Sequence, residues 1–346
     1  MPMKEVLEKQ KDSKRIVLLG LAYSELDFYY KLHAFLSKGP GAPDVMVLGT
    51  SRVLPIRSEF FPKGSFYNAG RGIAKIKHLR AFLKHIPRGK EPKVMIVGLD
   101  QNFFNSHWDS FAEDPIESRF LKGPDPFATL ANSWAIVYKD FLKKKFSLKH
   151  FFRPERKVRI GFNALVNDEG YRNDGSYRYG KFLKLPHAST SLDFGYRNTF
   201  RVIEKGVDRF EFNNEVSEAA VQELSLFLSE CKERNIEVIA FLPPYAHAIY
   251  DKLKSTGKHR YIFALPDVLR PVFQKYAFDF HDFSDLLSLG MDDRETVDGF
   301  HADEKAYLAL LLLMAKSNPN LNQFMDSDRL EQRLAASKND HVVFPS

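Results

Sequence analysis

Two hydrophobic rhythms alternate along most of this chain. Short apolar runs closed by Gly, Asn, Asp or Pro give way to segments in which apolar residues recur every three or four positions. The short runs at 45–49, 65–68, 94–98, 236–242 and 278–283 read as buried strands. The segment 73–86 gathers Ile73, Ile76, Leu79, Phe82, Leu83 and Ile86 on one helical face, and 216–234 does the same with Val221, Leu224, Phe227, Leu228 and Cys231. Segments 261–276 and 302–316 complete the helical set. Strands alternating with helices predict an α/β fold, a mostly parallel sheet with helices on both faces and right-handed crossovers.

The rhythm breaks between residue 103 and about residue 212, a stretch rich in aromatic and basic residues with turn signals at Asn167-Asp-Glu-Gly170 and Asn173-Asp-Gly-Ser176. An interruption this long between two core strands carries its own structure, often beside a binding site. It reads as an inserted cap of helix and loops. The expected organisation is a helical lead-in over 1–43, an α/β domain over 44–318 with that insertion, and a polar helical tail over 319–346.

Composition narrows the class. With 44% hydrophobic and 14% aromatic residues in 346, the chain has ample core material and is not disordered. The lone Cys231 excludes an internal disulfide and, lying in a helical segment, reads as packed. The net charge of +7 gathers at Lys143, Lys144 and Lys145, through Arg153, Arg156 and Lys157, and in the first fifteen residues. That pattern suits a solvated face, or attraction to an anionic glycan, an acidic partner or a membrane surface. No zinc-ligand spacing or recognition motif accompanies it, so nucleic acid is not an expected partner. No apolar run reaches about 18 residues, and 16–30 is interrupted by Ser24, Glu25 and Asp27 without a cleavage site. The expectation is a cytoplasmic chain as written, or a cell-envelope protein if the chain is a piece cut below an anchor.

Candidate chemistry lies where strands end. Asp44-Val-Met-Val-Leu-Gly49 opens into Thr50-Ser51-Arg52, so Ser51 falls at the carboxyl edge of the sheet, where open α/β folds bind ligands. A Ser hydroxyl needs a base, and the base an orienting carboxylate. Asp298 and His301, one turn apart just before the last helical segment, can supply both. A Ser at this position also fits a helix cap, and an Asp-x-x-His pair also fits a surface turn. Tyr67-Asn68-Ala-Gly70-Arg-Gly72 follows the second strand, and its backbone N–H groups are candidates to join that of Ser51 as an oxyanion hole, donors commonly worth about 3 kcal/mol each. Arg52 is a candidate for binding a substrate anion or for tying down its own turn.

In order, Gly49-Thr-Ser51-Arg, Phe66-Tyr-Asn68-Ala-Gly70, Gly98-Leu-Asp100-Gln-Asn-Phe-Phe104 and Asp298-Gly-Phe-His301 resemble the blocks of the SGNH (GDSL-like) hydrolase superfamily. They look most like its acyl-transfer branch, which includes proteins of alginate O-acetylation and teichoic-acid D-alanylation. Asn173-Asp-Gly-Ser176 and Phe241-Leu-Pro-Pro-Tyr245 are similar to that branch as well. The resemblance implies a three-layer α/β/α sandwich with a flavodoxin-like sheet, Ser51 as nucleophile, His301 as base and Asp298 as orienter. It implies serine-dependent transfer or hydrolysis of O-acetyl or other short acyl groups on a carbohydrate, without cofactor or metal. An acylated small molecule, an acyl-donor protein or a membrane acyltransferase enter as possible partners. The superfamily's oxyanion hole takes donors from the nucleophile's N–H, a Gly N–H and an Asn side chain. Here Asp100 stands where that Asn is expected, and a carboxylate facing an oxyanion is repulsive unless protonated or turned away. Asn102 and Asn68 are the candidate substitutes. The alternative function is a non-catalytic glycan-binding or polysaccharide-assembly protein on the same scaffold.

Tyr245 and His247, after the fourth strand, are further candidates for substrate contact, as is Asp100 itself. Asp168, Asn173 and Asp174 lack calcium-loop spacing and read as a turn, and Asp279 with His281 reads as structural.

Overall fold

Period-two alternation within each strand divides its side chains between two cores. The computed structural model describes residues 3–13, 15–21, 27–38, 41–109, 115–122, 125–147, 149, 158–180, 193–339 and 341–344. Its main sheet has five parallel strands: β1 (Val45–Gly49), β2 (Phe66–Gly70), β3 (Val94–Gly98), β4 (Glu237–Leu242) and β5 (Asp279–Asp282). They lie in the order β2-β1-β3-β4-β5. This is the flavodoxin-like arrangement, whose connections reverse direction between β1 and β3.

The covering helices follow from the apolar periodicity: α1 (His78–Lys84), α2 (Glu218–Glu233), α3 (Arg260–Tyr276) and α4 (Glu304–Ser317). Met46, Leu48, Met95, Val97, Val238 and Ala240 share a buried cluster with Leu79 and Phe82 of α1, Leu224 and Phe227 of α2, and Leu265 and Leu269 of α3. Val45, Val47, Ile96, Ile239 and Phe241 share the other with Leu308 and Leu311 of α4. The molecule is therefore a three-layer α/β/α fold. Burying each such side chain stabilises by roughly 1.5–3 kcal/mol.

α1 begins five residues later than the periodicity predicts. Arg71 takes a left-handed φ of 63°, Gly72 N–H donates to Ala69 O at 2.8 Å, and Ala74 N–H donates to His78 Nδ1 at 3.1 Å. These bonds close turns where the helix was expected, although Ile73 and Ile76 still reach the core.

The 103–212 stretch holds helices Ile116–Leu121, Pro126–Leu142, Phe162–Asn167 and Arg197–Lys205. It is stitched to the N-terminal segment by a small sheet. Leu18–Leu19 pairs in parallel with Arg159–Ile160 and antiparallel with Gly170–Tyr171, which in turn pairs with Tyr177–Arg178. Arg153, Arg156 and Lys157 of the basic run lie outside the described residues, as does part of the 16–30 segment.

The terminal segment forms helices Pro319–Asn322 and Ser327–Ala336 and closes the second core. Leu321, Phe324, Met325, Leu330 and Val343 are buried there. Buried Arg57 binds Glu304 at 3.1 Å and Phe344 O at 3.2 Å. His341 meets Asp303, the α4 N-cap, at 3.0 Å. Single apolar residues three or four apart made this segment read as a polar tail; packed, they form part of the fold.

Candidate active site

Ser51 emerges at the carboxyl end of β1, beside the point where the strand order reverses. It opens a turn of 3-10 helix, Ser51–Val53, capped by Thr50, whose hydroxyl oxygen accepts from Arg52 N–H at 3.3 Å. There is no room for a side chain beneath this turn: a Cβ added at Gly98 on neighbouring β3 would collide with Val53. The arrangement leaves Ser51 partly exposed above a closed floor.

Asp298, Gly299, Phe300 and His301 arrive from the other end of the chain, in the loop before α4. Gly299 adopts a φ of +76°, a left-handed conformation that a side chain would strain, and an added Cβ would meet the Tyr196 ring at 2.7 Å. The reversal it permits folds the Asp298 carboxylate back over its own loop, where Oδ1 accepts from Phe300 N–H at 3.0 Å and His301 N–H at 2.8 Å. Oδ2 accepts from His301 Nδ1 at 2.8 Å. The other ring nitrogen, Nε2, lies 2.9 Å from Ser51 Oγ. Three side chains spread over 250 positions of sequence thus form one hydrogen-bonded chain, Asp298–His301–Ser51.

Burial opposes ionisation of Asp298, but the His301 charge, its ring N–H and the two backbone N–H groups outweigh it and hold the carboxyl down to about 2. Asp298 is therefore a carboxylate throughout the working pH range. It fixes the tautomer with the proton on Nδ1, leaving Nε2 as the acceptor that faces the serine.

The loop is held from outside as well. Ala246 N–H donates to Gly299 O at 2.9 Å, and Val297 N–H to His301 O at 2.7 Å. Tyr196, from the end of the insertion, reaches Asp293 O at 3.2 Å and Thr296 Oγ1 at 3.3 Å through its hydroxyl.

The oxyanion candidates are placed differently from the sequence expectation. Asn68 is buried, its amide donating to Val53 O at 2.9 Å and Ile56 O at 2.7 Å, while its Oδ1 accepts from Gly70 N–H at 2.7 Å. Gly72 N–H is bound to Ala69 O. Asn68 thus braces the turn under Ser51, and all three groups are already occupied as donors. The remaining candidate donors are the Ser51 N–H, which opens its helical turn, and the carboxamide of Asn102, buried in the Gln101–Phe104 turn.

Asp100 is buried, with Oδ2 accepting from the Thr50 hydroxyl at 2.8 Å and Oδ1 without a hydrogen-bond partner among the described residues. Burial raises its pKa, against the pull of Arg52, Thr50, Arg209 and His301, so its neutral, hydrogen-bond-donating form is favoured relative to an ordinary Asp.

Arg52 does not face a substrate. Fully buried, it donates to Gln101 Oε1 at 2.7 Å and to the carbonyls of Pro243 and Pro244 at 2.9 and 2.8 Å. Its guanidinium lies against the rings of both Tyr245 and Phe300, at 4.5 and 4.4 Å from their centroids. Tyr245 is buried in that stack rather than open to ligand. Both residues lock the serine turn to the β4 loop. His247 stays partly exposed at the start of helix His247–Thr256; Asp285, 3.1 Å from its Nδ1, outweighs what little burial there is and raises its pKa. Asp168 pairs with Arg159 and Arg178, Asn173 accepts from Val17 N–H, and Asp174 accepts from Ser58 and Ser176. Asp279 binds Asn318 and the His281 ring stacks on Phe283.

One neighbour carries no motif. Arg209 stacks on the Asp298–His301 loop, 4.2 Å from the Phe300 ring, and is close enough to Asp100 to favour its ionisation. Its position just after Gly206, near the end of the insertion, was its only signal in the sequence. No protein-family model, curated protein or solved structure matches this chain, so a functional reading rests on the residues themselves.

Proposed function

We propose that this chain is a serine-dependent acyl-transfer enzyme of SGNH type, acting on O-acetyl or other short acyl groups of a carbohydrate. The observation that carries the reading is the Ser51 Oγ–His301 Nε2 contact of 2.9 Å, with Asp298 2.8 Å from the opposite ring nitrogen. Ser51 Oγ attacks the ester carbonyl carbon while His301 takes the hydroxyl proton. The carbonyl π pair moves onto oxygen, then returns as the C–O bond to the alcohol breaks, and the departing oxygen takes the proton from His301. Water or a sugar hydroxyl then repeats the sequence on the acyl-serine: His301 accepts its proton and returns it to Ser51. Asp298 stabilises the imidazolium in both halves. Ser51 N–H, Asn102 and neutral Asp100 are the groups proposed to steady the oxyanion.

Ser51→Ala is expected to abolish turnover of an aryl acetate while leaving circular dichroism and melting temperature unchanged. Retained activity in that variant overturns the mechanism.

A second reading, a non-catalytic glycan-binding or polysaccharide-assembly protein, is favoured by the occupied N–H groups of Gly70 and Gly72 and by Asp100. A fluorophosphonate probe separates the two. Labelling at Ser51 supports the enzyme; glycan binding without labelling supports the second reading.

A further inference from the structure

The helix Pro126–Leu142 turns its apolar side to solvent. Phe127, Leu130, Trp134, Tyr138 and Phe141 follow one another at helical spacing and are 83, 57, 65, 63 and 45% exposed. Single exposed apolar residues are ordinary, but a continuous stripe about 20 Å long marks an interaction surface. Leu130, Trp134, Tyr138 and Phe141 of this stripe form one wall of an open apolar groove of about 590 Å³, which Phe146 and Phe162 also line. The opposite side of the helix carries Asn132, Lys139 and Asp140 around Ile136.

Charge selects the occupant. Lys143, Lys144 and Lys145 follow directly at the C-terminal end and are exposed, with Lys122 exposed just before the helix and Lys149 just after it. Asp140 offsets only Lys145, at 2.8 Å. An apolar face carrying Trp, Tyr, Phe and Leu, flanked by lysines, has the composition of a helix lying in the headgroup layer of an anionic bilayer. Trp and Tyr suit that depth, and each nearby lysine adds attraction to anionic lipid. Among the described residues, no helix is long and apolar enough to cross a membrane, and this helix fits a position along the surface. We infer that Pro126–Leu142 docks the protein on an anionic lipid surface, with the aromatic stripe in the acyl boundary and Lys143–145 at the lipid phosphates. This inference stands apart from the acyl-transfer reading, since no residue of the stripe belongs to the Ser51 site.

The test is cosedimentation of the full chain with phosphatidylglycerol–phosphatidylcholine vesicles and with pure phosphatidylcholine vesicles. The chain has two tryptophans, so Trp108→Phe leaves Trp134 as sole reporter, and its emission should shift to the blue on adding the anionic vesicles. Binding to these should be at least about tenfold tighter than to the neutral ones and should weaken with salt. Leu130→Ser with Trp134→Ser, on the exposed face, should keep the native circular dichroism and lose about tenfold or more in vesicle affinity. Lys143→Glu with Lys144→Glu should erase the preference for anionic lipid. Absence of sedimentation with either vesicle, or equal binding by the serine variants, overturns the inference. A concentration-dependent dimer that the serine variants abolish, without lipid binding, assigns the stripe to a second copy and overturns it equally.

Discussion

Because the Asp298 carboxylate accepts from the His301 ring and from two N–H groups of its own loop, the imidazole has one preferred orientation, and a neutral amide in place of the carboxylate cannot hold it. Asp298→Asn is expected to lower kcat on an aryl acetate by about three to four orders of magnitude with the fold intact. The same carboxyl links the site to stability. Its folded pKa, about 2, lies below the ordinary 3.8. It therefore stabilises the fold above pH 3.8 by about 2 kcal/mol, a contribution lost as pH falls through the folded value. Urea midpoints of the wild type and Asp298→Asn, compared between neutral pH and pH 2, should converge in acid. Asp100 predicts an opposite sense for activity. Burial favours its neutral form, and in the proposed reaction ionisation would place a negative charge beside the oxyanion. Asp100→Asn keeps a neutral donor that cannot ionise and should therefore retain or raise aryl acetate turnover, whereas Asp100→Ala should lower it by about tenfold or more; an Asp100→Ala variant with undiminished turnover would remove Asp100 from the oxyanion site. Ser51, Asp298 and His301 were legible as candidates because a hydroxyl after the first strand and a carboxylate and imidazole one turn apart before the last core helix are residue types that suit such chemistry. The roles of Arg52, Asn68, Gly70 and Gly72 were not, because a donor's availability depends on partners that only folding brings near.

Strand and helix identities followed from periodicity, since a parallel sheet buried on both faces requires continuous apolar runs and each covering helix requires one apolar stripe. Boundaries were less legible. Local hydrogen bonds decide them, as the His78 ring does at α1 and the Asp303 and Ser217 side chains do by capping α4 and α2. The terminal helices show a further limit: ten residues with one buried leucine carry too weak a pattern to reveal the surface they cover. Leu330→Ala, at a site 2% exposed, should destabilise the protein by about 2–5 kcal/mol, seen as a lowered urea midpoint. A loss below about 0.5 kcal/mol would show that helix Ser327–Ala336 is only loosely attached.

For the molecule as a whole, the notable pairing is between distant segments. Leu18–Leu19 is hydrogen-bonded to residues 159–160 and 171, Tyr30 stacks on Tyr171 at 4.9 Å, and Lys31 donates to the carbonyls of Asn68 and Gly175. The lead-in, the insertion and the sheet are thereby joined. Brief native trypsin treatment should cut at the exposed Lys143–145 run, and the two fragments should coelute in size-exclusion chromatography until denaturant is added. Separation without denaturant would show that these contacts do not hold the halves together.

By itself the sequence determined the class of fold, the main-sheet strands with their covering helices, and the three candidate residues Ser51, Asp298 and His301. Hydrophobic period and side-chain reactivity are local properties that survive in a linear string. Tertiary structure alone decided that Ser51 and His301 meet at 2.9 Å across 250 positions, that Arg52 turns inward, that the Gly70 N–H is already occupied, and that an aromatic helix face stays uncovered. Each of these depends on which distant group competes for a donor or a surface, and that competition exists only once the chain has packed.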